Sequence, residues 1–146
     1  MPYETDPLMR LEITGTEPAT VTSREGNGEG GALGTPTVVI ARYLMTNGAD
    51  QSAAFVETIR KAGELGTKMT SVECADTSLG PLLTVGGYKD VVGVSRSAVS
   101  FTGSTPGEIL VSFHPNGSLG PDPSVPEPPT DPDCSPELLA AISDAH

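Results

Sequence analysis

Residues 37–66, "TVVIARYLMTNGADQSAAFVETIRKAGELG", change their apolar period halfway along, and that change decides the class of fold. The first nine alternate: Val38, Ile40 and Leu44 take one face, and Val39, Ala41, Tyr43 and Met45 the other, which is the period of a strand. Apolar residues on both faces mark a strand inside a sheet rather than at its margin. Thr46-Asn47-Gly48 breaks the run, and Ser52, Phe55, Val56, Ile59 and Ala62 then recur at helical spacing. Asp50 stands where an N-cap is needed, Glu57 and Lys61 form an i,i+4 pair, and Gly63 or Gly66 can end the element. The spacing predicts a helix near 50–64.

Outward from this stretch the pattern is that of short strands. "LMRLEITGT" (8–16) alternates, with Met9, Leu11 and Ile13 on one side, and reads as a half-buried strand; "EPATVTSRE" (17–25) reads as a weaker partner. After the helix come "KMTSVEC", "PLLTVGG", "DVVGVS" and "SAVSFTG", separated by Gly or Pro. "SAVSF" and "EILVSF" form a hairpin across "TGSTPG", in which Val99 and Phe101 share a face with Ile109, Val111 and Phe113. "HPNG" (114–117) closes the last strand as a turn. The reading is mainly β (α+β): a compact antiparallel β-sandwich or barrel over residues 1–119 with one helix. The segment "TPGEILVSFHPNGSLG" (105–120) resembles the strand-and-turn unit in globular domains of type II secretion pseudopilins. The long apolar N-terminal helix of that family has no counterpart in "MPYETDPLMRLEITGT", so the likeness is one of turn chemistry and not kinship.

Composition bounds the rest. Leu, Ile, Val and Phe supply 32 of 146 residues, there is no Trp, and Gly and Pro number 17 and 14; such a chain folds with little apolar material to spare. The net charge is -11, and residues 121–146 hold six acidic side chains without a Lys or Arg. A negative surface repels phosphate backbones and anionic headgroups, which argues against nucleic acid and membrane as partners. With no apolar run of signal-peptide or membrane-spanning length, the expectation is cytoplasmic synthesis without a secretory signal. Cys74 reads as a small core residue and Cys134 as an exposed thiol, while a bridge between them would pin the tail to the body.

No motif names a reaction. Gly26, Gly28 and Gly31 satisfy G-x-G-x-x-G, but a strand follows them where a phosphate site requires a helix, and Glu25 and Glu29 oppose an anion. His114 has Ser112 two residues away on one strand face, without a third group. Glu73 with Asp76 or Asp90 are carboxylate pairs of a kind any acidic chain offers. No metal-ligand spacing is present, so neither cofactor nor metal is expected, and a small hydrolase ranks last among the readings.

Seven of the fourteen prolines fall between Pro121 and Pro136, so 120–134 reads as a semi-rigid acidic spacer reaching on the order of 45 Å. Ser135 as N-cap, Pro136 and Glu137 then open a short helix over 135–146 carrying Leu138, Leu139 and Ile142. So short a helix needs cover for its apolar stripe. It folds back on its own body or docks on a neighbour, and the spacer's reach favours the neighbour. Leu138, Leu139 and Ile142, with Pro126, Pro128 and Pro129 setting the reach, are thus the expected partner-binding residues. The function expected is a non-enzymatic component of a larger symmetric complex, homo-oligomeric or bound to a major structural protein, of the kind found as minor virion proteins in capsid decoration or head-tail joining. The alternative is a soluble acidic adaptor that recruits a basic partner through its tail.

Overall fold

The computed structural model describes residues 5–25, 37–77, 80–91, 95–104, 107–114 and 131–145. Its strands are β1 (Thr20–Glu25), β2 (Thr37–Leu44), β3 (Lys68–Thr77), β4 (Gly80–Val91), β5 (Ser95–Thr102) and β6 (Glu108–His114). Helix α1 (Gln51–Glu64) lies between β2 and β3, and α2 (Pro136–Asp144) ends the chain. All six strands join one antiparallel sheet in the order β1-β2-β6-β5-β4-β3. The chain is mainly β, as its patterning predicts. The sheet does not close into a barrel, and the layer that faces it, among the described residues, is helical rather than a second sheet.

The register explains which residues are buried. Val39, Ala41 and Tyr43 of β2 lie opposite Phe113, Val111 and Ile109 of β6, and Val99 and Phe101 of β5 lie opposite Phe113 and Val111. All of them are buried on one face, together with Val85 of β4. The expected hairpin face is therefore present. Helix α1 covers this face with Ala54, Phe55, Thr58, Ile59 and Ala62; the Asp50 carboxylate accepts the Ala53 N–H at its start, and Glu57 pairs with Lys61 at 3.4 Å.

The N-terminal segment departs from expectation. Met9, Leu11 and Ile13 are buried as the alternation requires, yet 8–16 is not a strand. Asp6 and Pro7 start a 3-10 turn over Pro7–Arg10, in which the Asp6 side chain accepts the Leu8 N–H at 2.9 Å. The chain then runs on across the helical face and meets the end of β2 through an isolated bridge, Thr16 to Met45, and the Glu17 N–H to Leu44 carbonyl bond. Two buried polar groups hold it there. The Tyr43 hydroxyl donates to the Leu8 carbonyl at 2.8 Å and accepts the Leu11 N–H at 2.9 Å, and its burial pushes the phenol pKa up to about 12. Lys89, on the inner face of β4, reaches the Asp6 carboxylate at 2.8 Å with both side chains buried.

The C-terminal segment corrects the sequence reading further. Cys74 and Cys134 are joined in a disulfide, so Cys134 is no free thiol and the far end of the tail is fixed to β3. Around this bond the segment closes the outer edge of β3. The Cys74 N–H donates to the Asp131 carboxylate at 3.0 Å, and the Met69 N–H to the Ala145 carbonyl at 2.9 Å. A bulge between Met69 and Ser71 kinks the same strand; it is accommodated by Gly87, where a Cβ would lie 2.1 Å from the Lys68 carbonyl oxygen.

Cross-linking residues 60 apart in sequence removes denatured-state entropy worth roughly 4 kcal/mol. Replacing both cysteines with alanine should lower Tm by about 10–15 °C, read by calorimetry against the oxidised protein.

Candidate interaction surfaces

Helix α2 is the first surface to test, because the sequence assigns it to a partner. Its N-cap is as expected: Ser135 accepts the Leu138 N–H at 3.2 Å, with Pro136 and Glu137 in the first turn. Its apolar stripe is Leu138, Ala141, Ile142 and Ala145, and all four are buried within the chain, Leu138 at 2% exposure and Ile142 at 0%. The stripe lies on α1, whose Gly63 admits it closely, since a Cβ there would sit 2.7 Å from that of Ala145. Leu139, on the flank, is partly buried against the same core. Where the sequence reading has Leu138, Leu139 and Ile142 docking on a neighbour, within this chain the cover that a short helix needs comes from its own body. Pro126, Pro128 and Pro129 lie outside the described residues, as do Gly26, Gly28 and Gly31.

A cleft of about 660 Å³ opens between the starts of α1 and α2, lined by Phe55, Leu83, Leu138 and the disulfide. Two of its polar side chains, Gln51 and Ser104, serve the fold. The Gln51 amide donates to the Gly103 and Glu108 carbonyls and accepts the Gly107 N–H, while the Ser104 hydroxyl bonds both backbone groups of Leu83. None of these is an activated nucleophile or base.

The other face of the sheet carries no helix among the described residues. Across β2, β6 and β5 it presents Ile40, Arg42 and Leu44; Glu108, Leu110 and Ser112; and Ala98, Ser100 and Thr102, as the register dictates. Leu44 is 42% exposed, and Ile40 and Leu110 are half-buried. Arg42 sits across from Leu110 and forms an ion pair with Glu108 at 3.1 Å. An apolar patch with charged neighbours is thus set in a field of Ser and Thr.

His114 belongs to this face. Its Nε2 lies 3.1 Å from the hydroxyl of Ser100 on the adjacent strand, not from Ser112. Sequence proximity pointed to the wrong serine; the β5–β6 register, which places Ala98 opposite His114, brings Ser100 beside it. No carboxylate among the described hydrogen bonds orients the ring, so the pair lacks the third member of a hydrolytic triad. Glu73 and Asp90 are far apart on the β3–β4 pair, Glu73 opposite Thr84 and Asp90 six residues beyond that position. Among the described residues no cluster of three potential metal ligands occurs, and no helix is long and apolar enough to cross a membrane.

Two variants separate these roles. Leu138→Asp with Ile142→Asp buries two unpaired charges and should unfold the body, seen as loss of the cooperative melt, where a docking helix would leave the melt intact. Burial holds the His114 imidazole below its ordinary 6.5, so the unfolded chain takes up its proton first as pH falls. Stability from this group is complete above the unfolded value and is lost as pH falls through 6.5 toward the folded pKa; denaturant titrations should show that slope, and His114→Gln should flatten it. Compared with known proteins, the chain matches no protein-family model, no curated protein and no solved structure, which leaves this geometry to carry the functional argument.

Proposed function

We propose that the chain is a non-enzymatic component of a larger assembly and that it docks through the sheet face that carries no helix among the described residues. The observation that carries this reading is the one-sided layering: α1, α2 and the N-terminal segment all lie on one face, and the other exposes Leu44 with Ile40 and Leu110 beside it. An apolar centre edged by polar groups is the anatomy of a protein–protein contact. The partner that fits is a neighbouring subunit or a major structural protein, offering an apolar patch to Leu44 and Leu110 and basic groups to a chain of net charge -11.

A particle-bound role, such as capsid decoration or a head-tail accessory, agrees with two further features. The disulfide suits a protein whose working life is spent outside a reducing compartment, as virion surfaces are. Gln51 and Ser104 in the cleft are committed to backbone contacts, which favours a binding role over hydrolysis for those two groups. In the adaptor reading the acidic tail, not the sheet, would hold the partner.

Salt separates the two. Expressed in its own source, the chain should co-sediment with a large complex and stay there in about 1 M salt, where exposed charge contacts are screened within about 3 Å. Leu110→Lys with Leu44→Asp should release it without lowering Tm by more than a few degrees. Release of the unmodified chain by salt alone would favour the adaptor, and retention of the double variant would reject the docking face.

A further inference from the structure

The two edges of the sheet are treated differently, and we infer that the open one, β1, pairs with β1 of a second copy of this chain. This deepens the assembly reading by naming one partner, and it can fail independently of that reading. The β3 edge is kinked by a bulge, capped at the Met69 and Cys74 amides, and bolted to the C-terminal segment by a disulfide. Among the described residues strand β1 carries none of these guards. It pairs with β2 over six residues without a shift in register, and nothing among the described residues bonds to its outer side. Its sequence, "TVTSRE", holds no Pro and no Lys to discourage another strand.

The segment also suits its own image. Side chains opposed across an antiparallel pair share a face, so Val21, on the helical side opposite Ala41, must meet Val21, Ser23 or Glu25 of the second copy. A two-fold axis through Thr22 sets Val21 against Ser23, Thr22 against Thr22 and Thr20 against Arg24, so no like charges oppose. An axis through Ser23 would instead set Val21 against Glu25 in register. A groove of about 810 Å³ runs along the inner side of β1, its lining including Leu11, Ile13, Ala19 and Val21. The Thr22 axis offers the groove Val21 of the incoming strand. Because the contact is main-chain hydrogen bonding plus one apolar insertion, while the two bodies each carry -11, the dimer should tighten as salt is raised.

The test uses the full, oxidised chain and exploits the exposed Thr22, where substitution does not disturb the core. Sedimentation equilibrium should show a dimer, and hydrogen exchange should show concentration-dependent protection at residues 20–24. Thr22→Asp alone and Thr22→Lys alone should each weaken the dimer by at least about fivefold, since like charges face each other across the axis. Mixing the two variants should restore it. A chain that stays monomeric at about 0.1 mM, single variants that dimerise undiminished, or protection appearing on β3 instead would each overturn the pairing. Leu110→Lys with Leu44→Asp should leave this dimer intact, so failure of the docking face and failure of the edge are read separately.

Discussion

The packing of α2 onto α1 is the contact on which the rest of the structure depends. A six-stranded sheet needs a continuous apolar cover on at least one face, and α1 alone spans only 14 residues. The remainder must come from α2 and the N-terminal segment. Helix α2 is nine residues long, too short to persist in water without a partner surface. Its stripe of Leu138, Ala141, Ile142 and Ala145 supplies the missing cover because Gly63 on α1 lets the helix approach. The disulfide and the Asp131 carboxylate then hold the helix start against β3, and the Met69 to Ala145 bond holds its end. The backbone amides of Cys74 and Asp133 keep that carboxyl below the usual range.

One face buried leaves one face to explain. With aromatic content of 4% and no Trp, the chain has little material for a second apolar layer, and the side without a helix among the described residues is furnished on β5 with Ala98, Ser100 and Thr102. Against that background Ile40, Leu44 and Leu110 stand out, because they come from β2 and β6, strands whose apolar content exceeds what one covered face uses. The surplus of apolar side chains on β2, visible on both its faces, is what the proposed docking face rests on.

Strands and α1 were legible because their signals are local. Period-two alternation, the Asp50 cap and the Glu57–Lys61 pair each depend on residues within a few positions, and the structure contains them all. The destination of α2 was not legible, since the stripe's need for cover is written in the sequence but the identity of the cover is not. Residues such as Gly63 announce a close approach only once the partner helix is in place. The same limit hid the disulfide, whose cysteines are 60 positions apart, and the Lys89–Asp6 pair, separated by 83. The N-terminal segment failed for a different reason: its alternation correctly gave the buried side chains, but Asp6-Pro7 turned the chain before it could join a ladder. His114 illustrates the point at a single residue, since its hydroxyl partner is set by strand register and not by proximity along the chain.

Edge management connects the architecture to assembly. An open sheet that paired at both edges would grow without limit, since each added copy would expose a fresh strand. Here the C-terminal segment occupies the β3 edge through backbone, carboxylate and covalent bonds, so among the described residues β1 is the edge left for growth. Two-fold pairing through one edge consumes that edge on both copies and closes the set at two. The outer margins of the joined sheet are then both β3, already capped, while the uncovered faces of both copies lie side by side on one surface. Residues 131–145 thereby do more than cover the sheet: they close one of its two edges, and with that edge closed a pairing at β1 ends at two copies rather than extending into a fibre.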